Sequence, residues 1–241
     1  MSKIPSNLIN SPIVEAITEV RFSSDVPHDA IIGIIYNSFK KQFPKLDRLP
    51  LLSVPEQIRS SDKTLILQPL YKLDGKDYSL QVGPRLFSLV TKNQYPGWTK
   101  YLEELKIVFE AIIKLTFIRK FERLGMRYIN FFEEDIIDKC NFSLTLYGSP
   151  HASKELYLQT VKEEGRFKAL LQISNSAKRP VGVNDMKSGS VIDIDVSSDT
   201  LGEDFSKDYQ TVLIEAHELQ KKLFFSLLKD EFITTLKPEY K

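Results

Sequence analysis

The sequence predicts an α+β fold, in which one or two mostly antiparallel sheets carry their helices on one face. Many segments alternate apolar and polar residues, which is the period of a half-buried strand. Three longer segments repeat apolar residues every three or four positions, as amphipathic helices do. The order strand, helix, about four strands and long helix occurs twice, so we predict two pseudo-repeated halves, residues 1–117 and 118–241. This order is typical of an antiparallel sheet with its helices on one face, because each helix buries its apolar stripe against the sheet.

The first half begins with a strand at residues 14–22, where the even-numbered positions are mostly apolar. A helix follows after Asp25, which is suited to cap it, and Pro44 ends it. Asp74-Gly75 is a strong short-turn signal between two of the runs that come next. The remaining predicted elements are four extended runs and one long helix, at residues 51–58, 64–73, 77–83, 86–92 and 98–117.

The second half repeats the order without convincing residue-by-residue identity. It begins with a strand at residues 121–132 and a short acidic helix or turn at 133–140, and it closes with a helix at 209–232. Between them the alternating pattern predicts four strands, at residues 142–147, 155–161, 166–174 and 190–196. The duplicated order resembles the saddle of the TATA-box-binding protein and, more loosely, the helix-grip folds. This resemblance concerns topology and carries no function with it.

Composition is that of a folded protein without disulfides. The 241 residues are 42% hydrophobic, which is enough for a large core at this size. The single cysteine, Cys140, excludes an internal disulfide framework and favours a reducing compartment. There is no apolar run long enough to span a membrane and no secretory signal pattern. We therefore expect a cytoplasmic protein without membrane contact.

Charge is balanced overall but unevenly distributed. The formal net charge is +1, far from the strongly basic value of a typical nucleic-acid binder. Residues 85–127 nevertheless hold nine basic and four acidic side chains, whereas residues 193–215 hold seven acidic and one basic. A polarised surface is one reading of this pattern, and two solvated faces are the other.

Motifs that would identify an enzyme are missing. The chain has no phosphate-binding glycine loop, no H-E-x-x-H and no paired Cys-x-x-Cys, and His28, His151 and His217 are far apart. We predict no catalytic residue and no cofactor. One alternative is a metal-dependent phosphodiesterase or nuclease, because Asp193 and Asp195 occupy alternate positions of one strand and point to the same face. The simpler interpretation is that the apolar residues between them fill the core while both aspartates face water.

Several polar residues are candidates for binding. Arg21 and Arg127 occupy comparable strands of the two halves, and each precedes an aromatic residue. A planar guanidinium at such a place could bind a carboxylate or phosphate, or pair with acids on the same sheet face. His217 lies at the margin of the last helix's apolar stripe, where a polar contact or pH-sensitive contact would form. The full set of candidate binding residues is Glu15, Glu19, Arg21, Arg127, Tyr128, Asn130 and His217.

At these residues the chain resembles a prokaryotic family of sporadically distributed proteins without an established activity. The N-terminal P-x-V-E-A-x-x-E-x-R-F pattern appears from Pro12 to Phe22, and a central G-x-R-Y-x-N pattern appears from Gly125 to Asn130. Further similarity lies in the strand at 192–195 and in the helix around His217. The resemblance implies a patchy occurrence typical of mobile or antiviral-defence genes and a partner protein encoded nearby. It supplies no catalytic residue.

The sequence leaves three classes of function open. The first is a non-catalytic binding or assembly subunit that holds a partner protein at an uncovered sheet face or edge; the sequence also leaves a homo-oligomer open. Its candidate apolar contacts are Tyr71, Tyr78, Phe87 and Tyr95. The second is a nucleic-acid-binding module that uses the saddle or residues 85–127. The third is the metal-dependent nuclease, and a ligand pocket between sheet and long helix is a further alternative.

Overall fold

The computed structural model describes residues 4–150, 155–182 and 185–240, and it has the predicted α+β class. Within these ranges, two short 3-10 helices, Pro50–Ser53 and Ile137–Lys139, accompany the α-helices. The α-helices of the described residues pack against the sheet, and they are α1 (His28–Phe39), α2 (Glu56–Ser61), α3 (Trp98–Ile113), α4 (Phe205–Leu227) and α5 (Asp230–Thr235). None of the helices in this part of the chain combines the length and apolar composition needed to cross a bilayer.

In the described residues the strands form one large antiparallel sheet and two small ones. In chain order they are β1 (Asn7–Leu8), β2 (Ile13–Ser24), β3 (Lys45–Arg48), β4 (Tyr71–Asp74), β5 (Tyr78–Val82), β6 (Leu86–Thr91), β7 (Ile118–Phe132), β8 (Thr145–Leu146), β9 (Ser149–Pro150), β10 (Tyr157–Glu164), β11 (Phe167–Pro180), β12 (Met186–Ser198) and β13 (Pro238–Glu239). The large sheet has nine strands in the order β10-β11-β12-β7-β2-β6-β5-β4-β3. Strands β10 and β3 are therefore its two edges.

Contacts group the chain into two compact units. The first unit contains Met1–Val14, Arg127–Val196 and Ile214–Lys241, and the second contains Glu15–Met126 and Ser197–Leu213. Several segments of the chain thus alternate between the units. The division of the sequence into two pseudo-repeated halves at residue 117 stays a prediction.

In the second unit, one face of the sheet packs against α3. The even-numbered residues of β2 from Ala16 to Phe22 are buried, as their alternation predicts. The hydroxyl of Tyr101 on α3 lies 3.0 Å from the Thr18 hydroxyl of β2 and donates to the Leu89 carbonyl of β6, also at 3.0 Å. Tyr101 is fully buried, so these bonds provide the partners that its hydroxyl needs away from water.

In the first unit, β12 presents its apolar residues to the core. Ile192, Ile194 and Val196 are fully buried, as predicted from their alternation. The side-chain amide of Gln220 on α4 donates to the Ile194 carbonyl at 2.9 Å, which fixes the helix to this strand.

One predicted strand is wrong and two are only partly present, since of residues 142–147 only Thr145–Leu146 form a strand. Residues 51–58 form the end of a 3-10 helix and the start of α2, and residues 64–73 are extended only from Tyr71 onward. Pro50 and Pro55 stand at the beginnings of these two helices, where a missing N–H removes no helical hydrogen bond. The strand that completes the edge of the sheet, β3, comes earlier, directly after Pro44.

Candidate functional site

Arg127 and Asp193 form a close ion pair in the first unit. The Nε atom of Arg127 lies 2.9 Å from Oδ1 of Asp193, and Nη2 lies 2.5 Å from Oδ2. Asp193 is only 6% exposed, so the interpretation that this aspartate faces water is wrong. Its carboxylate is tolerated inside because the guanidinium of a residue on β7 satisfies both oxygens.

Tyr128 and His217 meet on the helix-covered side of the same unit. The Tyr128 hydroxyl is 3.3 Å from Nδ1 of His217, and both side chains are buried. Burial lowers the pKa of His217 to about 3, and the charge of Lys221 acts in the same direction. The ring is therefore neutral at physiological pH, and the predicted polar contact at the helix-sheet seam is present.

Asn130 is buried two positions further along β7. Its side-chain amide donates to the Ile192 carbonyl of β12 at 3.1 Å. Arg127 and Asn130 thus both connect β7 to β12. The central G-x-R-Y-x-N motif therefore helps to position these two strands.

The N-terminal motif makes a separate ion network in the second unit. Oε1 of Glu19 accepts from Nε of Arg21 at 2.8 Å and from Nη1 of Arg123 at 3.1 Å. Arg123 also lies 3.6 Å from Asp199. Pairing of Glu19 with Arg21 agrees with the sheet-surface network anticipated from the alternation, while Glu15 lies half-buried on the same strand.

Sequence reasoning missed Arg123, although Gly125 gives a signal for it. A Cβ added to Gly125 would stand 2.5 Å from Nη1 of Arg123, so the guanidinium lies over the bare backbone of the glycine. An isolated glycine inside a strand often marks such a close approach.

The geometry offers little for a metal centre. Among the residues that the structure describes, no group of three or more His, Cys, Asp or Glu side chains is arranged to hold an ion. Asp193 already has Arg127 as its partner, and Asp195 is half-buried. His151 lies outside the described residues.

Four of the nine basic side chains of residues 85–127 form ion pairs with acids, and Lys92 is one of them, with Asp74 at 3.4 Å. Arg119 pairs with Asp25 at 3.2 Å, while Arg123 and Arg127 pair with the acids given above. Paired guanidiniums have less charge to offer to a phosphate backbone.

Three of the four aromatic residues expected to point outward, Tyr78, Phe87 and Tyr95, do not, and Tyr71 is half-buried on β4. Phe87 is buried and packs against Phe22 and Phe109. Tyr78 and Tyr95 both pack against Tyr101 of α3, so they belong to the helix-covered face.

A cleft in the second unit has a mixed lining. Its apolar side includes Leu70 and Val82, and its polar side includes Asp29 and Glu56 with Arg59. The guanidinium of Arg59 already donates from Nε to the Val54 carbonyl at 2.8 Å. Because the lining carries charges of both signs, it does not indicate one class of ligand.

The edge strand β10 is largely exposed. Tyr157 and Val161 are 63% and 51% exposed, and most other residues of the strand are exposed as well. β10 pairs with β11 from Tyr157↔Ser174 to Glu164↔Phe167. The pattern of alternation predicted a strand here, but it gave no sign that the strand would be an edge.

One backbone hydrogen bond fixes which groups of β10 point outward. The N–H of Asn175 on β11 donates to the Leu156 carbonyl at 3.3 Å, and the Leu156 N–H donates to the Asn175 side chain at 2.8 Å. Successive residues of a strand direct their N–H and C=O groups to opposite sides. Because the backbone groups of Leu156 face β11, those of the other even-numbered residues face it as well. The residues whose backbone groups face away from β11 are Tyr157, Gln159, Val161 and Glu163.

The opposite edge differs from β10 in length and charge. β3 has four residues, and three of them, Lys45, Asp47 and Arg48, are charged. Short, charged edge strands resist pairing with other chains, and β10 is twice as long.

The fold and these sites define an α+β protein with an antiparallel sheet, buried polar bridges and one long accessible edge. No protein-family model matches the chain, and no curated protein matches its sequence. The resemblance to the sporadically distributed prokaryotic family stays a prediction.

Proposed function

We propose that the protein is a non-catalytic binding or assembly subunit that acts through a partner protein, and that the partner pairs with the outer edge of β10. The observation that carries this proposal is the exposure of the strand together with its outward-facing backbone groups. A partner strand laid along such an edge gains main-chain hydrogen bonds, while alternate side chains give specificity.

The side chains on this edge are suited to a protein interface. The Tyr157 hydroxyl donates to Oε1 of Gln159 at 2.9 Å, and Gln172 of β11 donates to the same oxygen at 3.2 Å. These bonds hold the exposed Tyr157 ring in place before a partner arrives. A tyrosine with a fixed orientation contributes contact area at low entropic cost, and tyrosine is enriched in interfaces.

The other functional classes receive less support from the contacts. A metal-dependent reaction at Asp193 would first have to release its carboxylate from Arg127. Nucleic-acid binding by Arg119, Arg123 or Arg127 would have to release the ion pairs of these residues. Binding at β10 breaks no contact of this kind.

The test uses a proline that removes one outward N–H. Val161→Pro deletes a donor that faces away from β11, so the hydrogen bonds between β10 and β11 remain. Leu46→Asp on β3 is the control, because Leu46 is also an exposed apolar residue of an edge strand, 41% exposed. Circular dichroism and urea unfolding establish that both variants are folded.

Each tagged protein is then isolated from the cells that naturally make it, and the co-purifying proteins, including untagged copies of the chain, are quantified. We expect a stoichiometric partner with the wild type and with Leu46→Asp, and at least a tenfold lower yield with Val161→Pro. Equal recovery of every partner with Val161→Pro, or no stoichiometric partner at all, would contradict the proposal.

A further inference from the structure

We infer that the strand received by β10 is β10 of a second copy of this chain, paired antiparallel about a two-fold axis at Thr160. This inference rests on the proposed function, since it names the partner of the same edge. Closed two-fold dimers are the commonest assemblies of soluble proteins, and their interfaces use the same surface twice.

The direction of pairing follows from where the charges lie. Residues 156–161 of the edge are uncharged, and the charged residues Lys162, Glu163 and Glu164 follow at one end. In a parallel, in-register pair each of these would face its own copy, and like charges directly opposite one another destabilise a sheet. An antiparallel pair places the two charged ends far apart, next to uncharged partners.

The register follows from the outward backbone groups. Only odd-numbered residues of β10 have N–H and C=O groups free of β11, so odd residues must pair with odd residues across the axis. An axis at Thr160 meets this condition and pairs Tyr157 with Glu163 and Gln159 with Val161. All four outward residues then form hydrogen bonds in both copies.

Neighbouring registers are less favourable. An axis at Val161 would set Tyr157 opposite Gly165, which lies in the turn after β10 with a φ of +60°. An axis at Lys162 would set that lysine against its own copy. An axis at Gln159 would set Glu155 against Glu163, which again opposes like charges.

A single cysteine at the axis tests the register. In the inferred pairing the two Thr160 residues form a non-hydrogen-bonded pair, whose Cα atoms lie roughly 4.5 Å apart. This separation is within the range that a disulfide spans. The native Cys140 is buried, so the cysteine introduced by Thr160→Cys carries the accessible thiol. We expect mild oxidation to convert most of Thr160→Cys into a disulfide-linked dimer.

The matched control is Lys162→Cys, on the same strand and the same face. In this register Lys162 lies opposite Leu158, so the two introduced thiols are about four residues apart along the strands, roughly 13 Å. We expect less than a tenth of the cross-linking seen with Thr160→Cys. Cross-linking of Lys162→Cys that equals or exceeds that of Thr160→Cys would overturn the inferred register.

Light scattering of the purified protein tests the assembly itself. We expect twice the chain mass of 27.7 kDa for the wild type and for Leu46→Asp, and the monomer mass for folded Val161→Pro. A wild type that stays monomeric at high concentration overturns this inference. The proposed function survives that result if cellular proteins still require Val161, and it fails as well if no association of any kind depends on the β10 edge.

Discussion

The guanidinium of Arg127 holds the buried carboxylate of Asp193 through both oxygens, at 2.9 Å from Nε to Oδ1 and 2.5 Å from Nη2 to Oδ2. The two residues are 66 positions apart in the sequence, so the pair forms only when β7 and β12 are assembled. The ion pair therefore stabilises the tertiary structure and not a local element.

Removal of one partner should cost more than removal of both. Arg127→Leu leaves the carboxylate of Asp193 buried without its main partner, and we expect a loss of about 1–3 kcal/mol in the free energy of unfolding. The double variant Arg127→Leu with Asp193→Leu should recover at least half of this loss, since apolar replacement of a buried pair is often neutral. Urea unfolding of both single variants and the double variant measures the coupling. A double variant whose loss equals the sum of the two single losses would show that the pair is not coupled.

His217 should make the protein less stable in mild acid. Its pKa is about 3 in the folded protein and 6.5 when exposed, so the unfolded chain binds the extra proton as the pH falls below 6.5. Stability from this group is complete above that pH and is lost between pH 6.5 and 3, by up to about 1.4 kcal/mol per pH unit.

The measurement is urea unfolding at several pH values through this window. His217→Gln removes the titrating ring, so the stability of this variant should depend less on pH than that of the wild type. His28→Gln provides the control, because it removes a histidine at the start of α1, in the other unit. Parallel pH profiles for the wild type and His217→Gln would show that the histidine is accessible to protons in the fold.

Two glycines should respond to alanine in opposite directions. A Cβ at Gly189 of β12 would collide with the Phe132 carbonyl and would lie 2.9 Å from Cζ of Phe131. We expect Gly189→Ala to destabilise the protein by about 1–3 kcal/mol, because packed neighbours must move.

Gly33 of α1 is the contrasting position, since a Cβ there meets nothing within 4 Å. Gly33→Ala should stabilise the protein by about 1 kcal/mol, which is the usual gain of alanine over glycine in a helix. Thermal unfolding compares the two variants, and a neutral Gly189→Ala would mean that β7 and β12 are farther apart at this point.

Cys140 should be unreactive in the native protein. Burial raises the pKa of its thiol to about 11, although the charge of Lys229 partly opposes this effect. Because the thiolate is the reactive form, we expect a thiol reagent at neutral pH to label Cys140 at least a hundredfold more slowly in buffer than in urea. Similar rates under both conditions would show that the first unit opens readily around this residue.

Local periodicity predicted the elements that are regular and half-buried. Alternation along β2 and β12 identified apolar residues that are buried, although it misplaced Asp193, and the stripe of α3 located a helix of nearly the right length. It failed between residues 51 and 70, where short apolar runs occur in helical turns and irregular segments. A run of this length does not distinguish a strand from a short helix.

Properties that depend on which strands are neighbours could not be predicted. The alternation of β12 predicted on which face of the sheet Asp193 lies. Whether Asp193 is buried there depends on Arg127, which belongs to another strand. The same limit applies to β10, because its exposed edge follows from the order of nine strands and not from its own eight residues. Arg123 was missed for a related reason, since its partners Glu19 and Asp199 come from distant parts of the chain.

The difference between the two edge strands of the nine-stranded sheet limits how many molecules can join through it. A chain with two receptive ends would polymerise, because every added molecule would expose a fresh site for the next one. If molecules join at β10, the edge that remains is β3, which is short and charged, so we expect a finite particle instead of a fibre.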